Sequence, residues 1–185
     1  MRLTEVTATR TINVEVLKKI CAPFIKQVNA ANNTLLYCHY MGDKFDKMKG
    51  FRTITSKSEQ NTLLANKQVH ELFNRAFVNK FGFPYVDGAL AQSKPNATYG
   101  HDTYVLFPTT DRFIWSPIIK NLHEYLVDHN DVRNLTSDEV EHILLYYTNK
   151  NLSRALTSGH EIMIADPVIA LTLNEYHSIK QELLK

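Results

Sequence analysis

A chain of 185 residues, 44% hydrophobic, 22% charged and 10% aromatic, has room for one domain with a sizeable core, and its composition excludes a disordered, collagenous or disulfide-scaffold protein. Lys and Arg number 21 against 19 Asp and Glu, a formal net charge of +2, so bulk charge points to neither nucleic acid nor an anionic membrane. The two cysteines, Cys21 and Cys38, are too few for a disulfide framework and have no paired histidines to make a zinc site. A reducing, intracellular setting is expected. The opening MRLTEVTATR has no apolar stretch of signal-peptide type, and no apolar run reaches the ~18 residues that a membrane span needs. A soluble protein is expected.

Asn13 precedes VEVLKKICAPFIKQVNAA, in which Val14, Leu17, Ile20, Cys21, Phe24, Ile25 and Val28 recur at threes and fours. This predicts an amphipathic helix, bent at Pro23 and ended by the turn Asn32, Asn33. LLYCHYM (35–41) is short, apolar and aromatic between turn signals, as a largely buried strand should be. Residues 42–60 hold five basic and three acidic residues with two glycines and predict a surface loop. A second helix is expected over 62–80, where Leu63, Leu64, Val69, Leu72, Phe73, Ala76 and Phe77 keep helical spacing until Gly82 and Pro84 stop it. Strands are expected over 85–91 and 103–107 around the polar turn QSKPNATYGHD, with a short one over 112–115. Pro117 stands where a helix opens, leading into IIKNLHEYLVDHN, and Thr136 to Glu139 (TSDE) forms a capping box for the helix EVEHILLYYTN. NLSRALTSG reads as a short helix ended by Gly159. HEIMIA and residues 168–173 read as strands, and a helix closes the chain through TLNEYHSIKQELL. The class is α+β, one domain over 1–185, with helices before, between and after an antiparallel or mixed sheet.

The common signatures of phosphate, metal and nucleophile chemistry are missing. The six glycines make no Walker A loop and no G-x-G-x-x-G turn, and H-E-x-x-H, C-x-x-C and G-x-S-x-G do not occur. Three pieces stand out in order instead: His39 in the first strand, the small-polar segment ALAQSKPNATYG, and Glu161 opening a late strand. That order resembles the ADP-ribosyltransferase superfamily, whose split β-sheet places Arg or His on the first strand, a Ser or Tyr motif on a middle strand and Glu on a later one. The pieces VHELFNRAFVNKFGF, GALAQS, TYG, VLFP and FIWSP, over about 69–117, are similar to proteins of tailed phages of about this size, which implies a phage origin.

The resemblance implies an ADP-ribosyltransferase-like split β-sheet with flanking helices. It also implies a transferase that takes NAD as substrate, releases nicotinamide and passes ADP-ribose to a protein, nucleic acid or nucleotide in the host cytoplasm. By position, Glu161 matches the catalytic glutamate, while His39, Ser93 and Tyr99 match residues that meet NAD; Cys38 aligns with the first-strand position as well as His39 does. Breaking the nicotinamide bond builds positive charge on the ribose, which one buried carboxylate is suited to oppose. An aromatic ring offers a stacking surface, and His or Ser can hydrogen-bond ribose. No metal is required. Arginine-modifying members carry Glu or Gln two residues before the glutamate, where this chain has Gly159, which points away from arginine as acceptor.

Plainer readings stand beside these. His39 can be a satisfied core histidine, Ser93 and Tyr99 simple turn residues, and Glu161 the solvated end of an apolar strand. Arg52 and the lysines of 42–60 can meet the NAD pyrophosphate or a nucleic-acid backbone, or simply face water. His70 reads as a helix boundary residue, Trp115 as a core anchor, and the pair Tyr146, Tyr147 as half core and half surface. A non-catalytic virion or host-interaction protein on the same fold is the alternative, and near-neutral charge argues against a nucleic-acid-binding module.

Overall fold

The computed structural model describes residues 12–39, 46–48, 50–54, 67–84, 88–91, 103–129, 134–165 and 167–183. The expected turn 92–102 and the first residues of the 62–80 helix lie outside them, as do residues 40–41 and 85–87 of two expected strands. The first helix forms as two, α1 (Val14–Ile20) and α2 (Ala22–Ala30). Asn13 Oδ1 accepts from the Val16 N–H at 3.0 Å and starts α1. The break falls at Cys21 (φ −103, ψ 15) rather than at Pro23, which sits in the first turn of α2, where its missing N–H costs nothing. Asn32 and Asn33 adopt left-handed φ of 55 and 59 and turn the chain toward β1 (Leu36–His39).

Eight strands pair antiparallel throughout the described residues. β1 pairs with β5 (Thr103–Pro108), β5 with β8 (Val168–Thr172), β8 with β3 (Phe51–Ile54) and β3 with β2 (Asp46–Met48). A second sheet has the order β4 (Gly88–Ala91), β7 (Ile162–Ala165), β6 (Phe113–Trp115). The β2–β3 hairpin corrects the expected loop over 42–60: Phe51, Thr53 and Ile54 are buried, and Gly50 at φ 89 supplies the turn. β1 and β4, each the edge of its own sheet, lie next to one another where the two sheets meet.

The remaining helices are α3 (Lys67–Phe81), α4 (Leu122–His129), α5 (Ser137–Leu144), α6 (Leu152–Ser158) and α7 (Leu173–Leu183). Thr136 and Glu139 cap α5 reciprocally, as their spacing predicts. The same box recurs at α7: Thr172 Oγ1 accepts from the Glu175 N–H at 3.2 Å and Glu175 Oε2 accepts from the Thr172 N–H at 2.8 Å. Gly159, at φ 75, ends α6.

Two apolar cores result. In the first, Phe107 of β5 meets Phe24 edge-on at 6.1 Å and Tyr176 at 6.2 Å. Cys21 lies in it, its thiol 3.5 Å from the Phe107 carbonyl and pushed by burial up to about 12. In the second, α3 and α5 pack together, and Phe77 meets Tyr147 edge-on at 5.4 Å. β7 belongs to both: Ile162 and Ile164 join the first core, Met163 and Ala165 the second, as the alternation of a strand requires. Among the described residues no helix is long and apolar enough to cross a membrane.

Phe107→Ala is expected to cost about 3–5 kcal/mol and Thr136→Ala about 1 kcal/mol in urea unfolding. Equal losses for the two would contradict this account of the core.

Candidate functional site

The site forms at the head of β7, because every residue of that strand is buried and the chain enters it through two polar residues, His160 and Glu161. The segment facing them, 116–121, joins β6 to α4. Ser116, fully buried, donates its Oγ hydrogen to the Tyr146 carbonyl at 2.8 Å and accepts from the Ile118 and Ile119 N–H groups at 3.1 and 2.8 Å. These local bonds hold the segment in a turn. The helix expected from Pro117 therefore starts only at Leu122, where Asn121 Oδ1 accepts from the Glu124 N–H at 3.0 Å.

Glu161 closes onto that helix start. Its N–H donates to the Lys120 carbonyl at 2.8 Å, and its carboxyl oxygens accept from Asn121 Nδ2 at 3.3 Å and from the Leu122 N–H at 3.4 Å. The side chain is not the solvated end of a strand, since the residue is only 8% exposed. Burial pushes its carboxyl up to about 7; the Leu122 N–H opposes that shift and the nearby charge of Glu124 adds to it. The Tyr147 phenol lies well above its ordinary range, first from burial and then from the charges of Glu161 and Tyr125.

His160 Nδ1 lies 2.7 Å from the Ser116 carbonyl. A carbonyl only accepts, so Nδ1 carries the hydrogen and a neutral ring leaves Nε2 as acceptor. Trp115 packs its ring against His160 with centroids 6.3 Å apart and donates its indole N–H to the Lys150 carbonyl at 2.8 Å. Its main chain exchanges two bonds with Thr148 at 3.0 and 2.9 Å. Trp115 is thus a core anchor, as its sequence context indicates.

The strand order brings some of the expected residues toward one place. Ala91, the last residue of β4, pairs with Ile162, the residue after Glu161. Ser93 and Tyr99, carried by that segment, lie outside the described residues. His39 ends β1, opposite Thr103, on the strand next to β4. Arg52 is placed elsewhere. Its guanidinium bonds to Glu175 of α7 and lies 5.9 Å from the Tyr104 ring centroid, and β8 and β5 stand between its strand and β1, a separation of about 14 Å at ordinary strand spacing. The Arg52 charge is thus engaged with Glu175 at α7.

Sequence reasoning missed Ser116, Asn121 and His160. Asn121 and Glu124 repeat the spacing of a helix-start box, and Ser116 before proline is a turn signal; His160 has no signal of its own. Among the described residues no cluster of three His, Cys, Asp or Glu side chains could hold a metal ion. No protein-family model, curated protein or solved structure matches the chain.

A carboxyl that titrates near 7 when folded and near 4.5 when unfolded binds an extra proton in the native state between those values. Native stability therefore falls as pH rises from 4.5 to 7, by on the order of 3 kcal/mol, and the loss stays in full above 7. Glu161→Gln, uncharged and of the same size, is expected to melt above wild type at pH 8 and together with it near pH 4.5, by differential scanning calorimetry. A difference independent of pH would contradict this.

Proposed function

We propose that this is an ADP-ribosyltransferase-like split-sheet protein of phage origin that releases nicotinamide from NAD and transfers ADP-ribose to a protein, nucleic acid or nucleotide in the host cytoplasm. The observation that carries the reading is the buried carboxyl of Glu161 at the head of β7. Support comes also from the strand order, in which β7 adjoins β4 and β4 lies next to β1, the strand of His39. That neighbourhood is the one expected of a split sheet that reads NAD with its first, middle and late strands.

In this chemistry, departure of nicotinamide leaves an oxocarbenium-like ribose, and an ionised Glu161 opposes its charge while accepting from the ribose 2′-hydroxyl. Low local polarity, the cause of its raised pKa, strengthens that interaction. To engage ribose, Glu161 exchanges its bonds to Asn121 and Leu122 for bonds to NAD. Gly159, two residues earlier, has no side chain and a φ of 75, which continues to point away from arginine as acceptor.

A second reading is favoured by one observation: both Glu161 oxygens are already occupied at the start of α4. In that reading the carboxyl is a helix cap, and the protein is a non-catalytic virion or host-interaction component on the same fold.

Purified protein incubated with NAD labelled in the adenosine and in the nicotinamide, with and without host lysate, separates the two. The transferase reading predicts nicotinamide release that rises with pH through about 7 and falls by about 100-fold or more in Glu161→Gln, with label on the acceptor. Absence of release, together with no NAD binding by calorimetry, leaves the second reading.

A further inference from the structure

A groove of about 710 Å³ opens between α2, the turn before β6 and the start of α6. It does not include Glu161. Phe113, in its floor, pairs with Ile164, three residues along β7 from Glu161, or about 10 Å at strand rise. Its size lies in the range of small-molecule sites.

The floor is apolar: Phe24, Phe113 and Leu152 line it and are themselves almost fully buried. The rim is polar and built from separate parts of the chain. Lys26 of α2 and Arg154 of α6 both line the groove, both are exposed, and neither makes an ion pair among the described residues. Asp111 brings one carboxylate to the same rim and also has no ion-pair partner there. Asn149 and Asn151 add two side-chain amides, each able to donate and accept.

The backbone that carries the two amides is held in place. Between them, Lys150 accepts the Trp115 indole hydrogen at 2.8 Å, and the preceding Thr148 is tied to the Trp115 main chain by two bonds. Asn151 adopts the left-handed conformation (φ 60, ψ 56) and makes no side-chain cap bond to α6. Asparagine takes that conformation more readily than other side chains, and its amide is not used to cap the helix. Backbone fixed at this part of the rim before binding reduces the entropy lost when a ligand is held.

We propose that this groove binds a phosphorylated sugar. Lys26 and Arg154 take the phosphate, which suits a point charge and a forked donor in combination. Asp111 accepts from sugar hydroxyls, Asn149 and Asn151 bond to the remainder, and the apolar floor takes the carbon face of the ring. A bare oxyanion uses only the two cations, and a purely apolar ligand leaves the amides and Asp111 unmatched. The sugar phosphate can be free or part of a nucleotide, and the shared ribose phosphate is the recognised unit. This site stands independently of NAD chemistry at Glu161.

The test is calorimetric titration of the whole chain with inorganic phosphate, ribose 5-phosphate and AMP. The wild type is expected to bind ribose 5-phosphate at one site, at least ten-fold more tightly than inorganic phosphate. Lys26→Glu and Arg154→Glu, both at exposed positions, are each expected to weaken that binding at least ten-fold while melting within a few degrees of wild type. Lys19→Glu, an equal charge change on α1 outside the groove, is expected to leave it unchanged. AMP binding as tightly as ribose 5-phosphate identifies ribose phosphate as the unit read, and tighter AMP binding places a base in the groove as well; both support the site. Absence of saturable binding of both sugar phosphates, equal affinity for inorganic phosphate, or equal weakening by Lys19→Glu would overturn it.

Discussion

A carboxyl removed from water has to be satisfied by the protein around it, and Glu161 imposes that demand at the point where both cores meet. β7 has no solvent face: Ile162 and Ile164 point into one core, Met163 and Ala165 into the other. The chain therefore enters the strand already buried, and Glu161 is drawn in with it. The start of α4 answers the demand, with Asn121 Nδ2 and the Leu122 N–H directed at the two carboxyl oxygens. Ser116 answers it one step further out, because its three hydrogen bonds shape the turn that delivers those donors.

The satisfaction is incomplete, which makes the site chemically interesting. Two bonds of 3.3 and 3.4 Å are long for a carboxylate, whose charge-assisted bonds are usually nearer 2.8 Å. Burial accordingly outweighs the N–H that favours the charge, and the carboxyl is held near neutrality in pH. A group so placed is costly to ionise in the resting protein and effective once a cationic partner arrives. The features that make Glu161 a poor contributor to stability above pH 7 are thus those that a charge-stabilising role needs, the usual opposition between stability and function at a site.

Local signals in the chain were reliable where a structure answers to its immediate neighbours. Asn13 starts α1, the Thr136 and Glu139 pair starts α5, Gly159 ends α6, and the apolar run after Glu161 is a strand. The β2–β3 hairpin is not legible in the sequence because Asp46, Lys47 and Arg52 give it the composition of a loop, while the burial of Phe51, Thr53 and Ile54 depends on β8, more than a hundred residues later. Pro117 does not open a helix for a related reason: the serine before it takes the next two N–H groups. Glu161 could be singled out by its place before an apolar strand. Its surroundings could not, since its partners lie about forty residues earlier and Tyr147 comes from another element. Arg52 illustrates the same limit, for its partner Glu175 is 123 positions away.

The central claim, that Glu161 is a buried and only partly compensated carboxyl, is tested most directly by its own titration. Carbon-detected NMR of protein carrying labelled glutamate, with Glu161→Gln identifying the resonance, follows the side-chain carboxyl through the pH range. The account predicts an apparent pKa of about 7. A value near the ordinary 4.5 would contradict it, and would mean that water or further donors reach the carboxylate and that its burial is not what sets its chemistry.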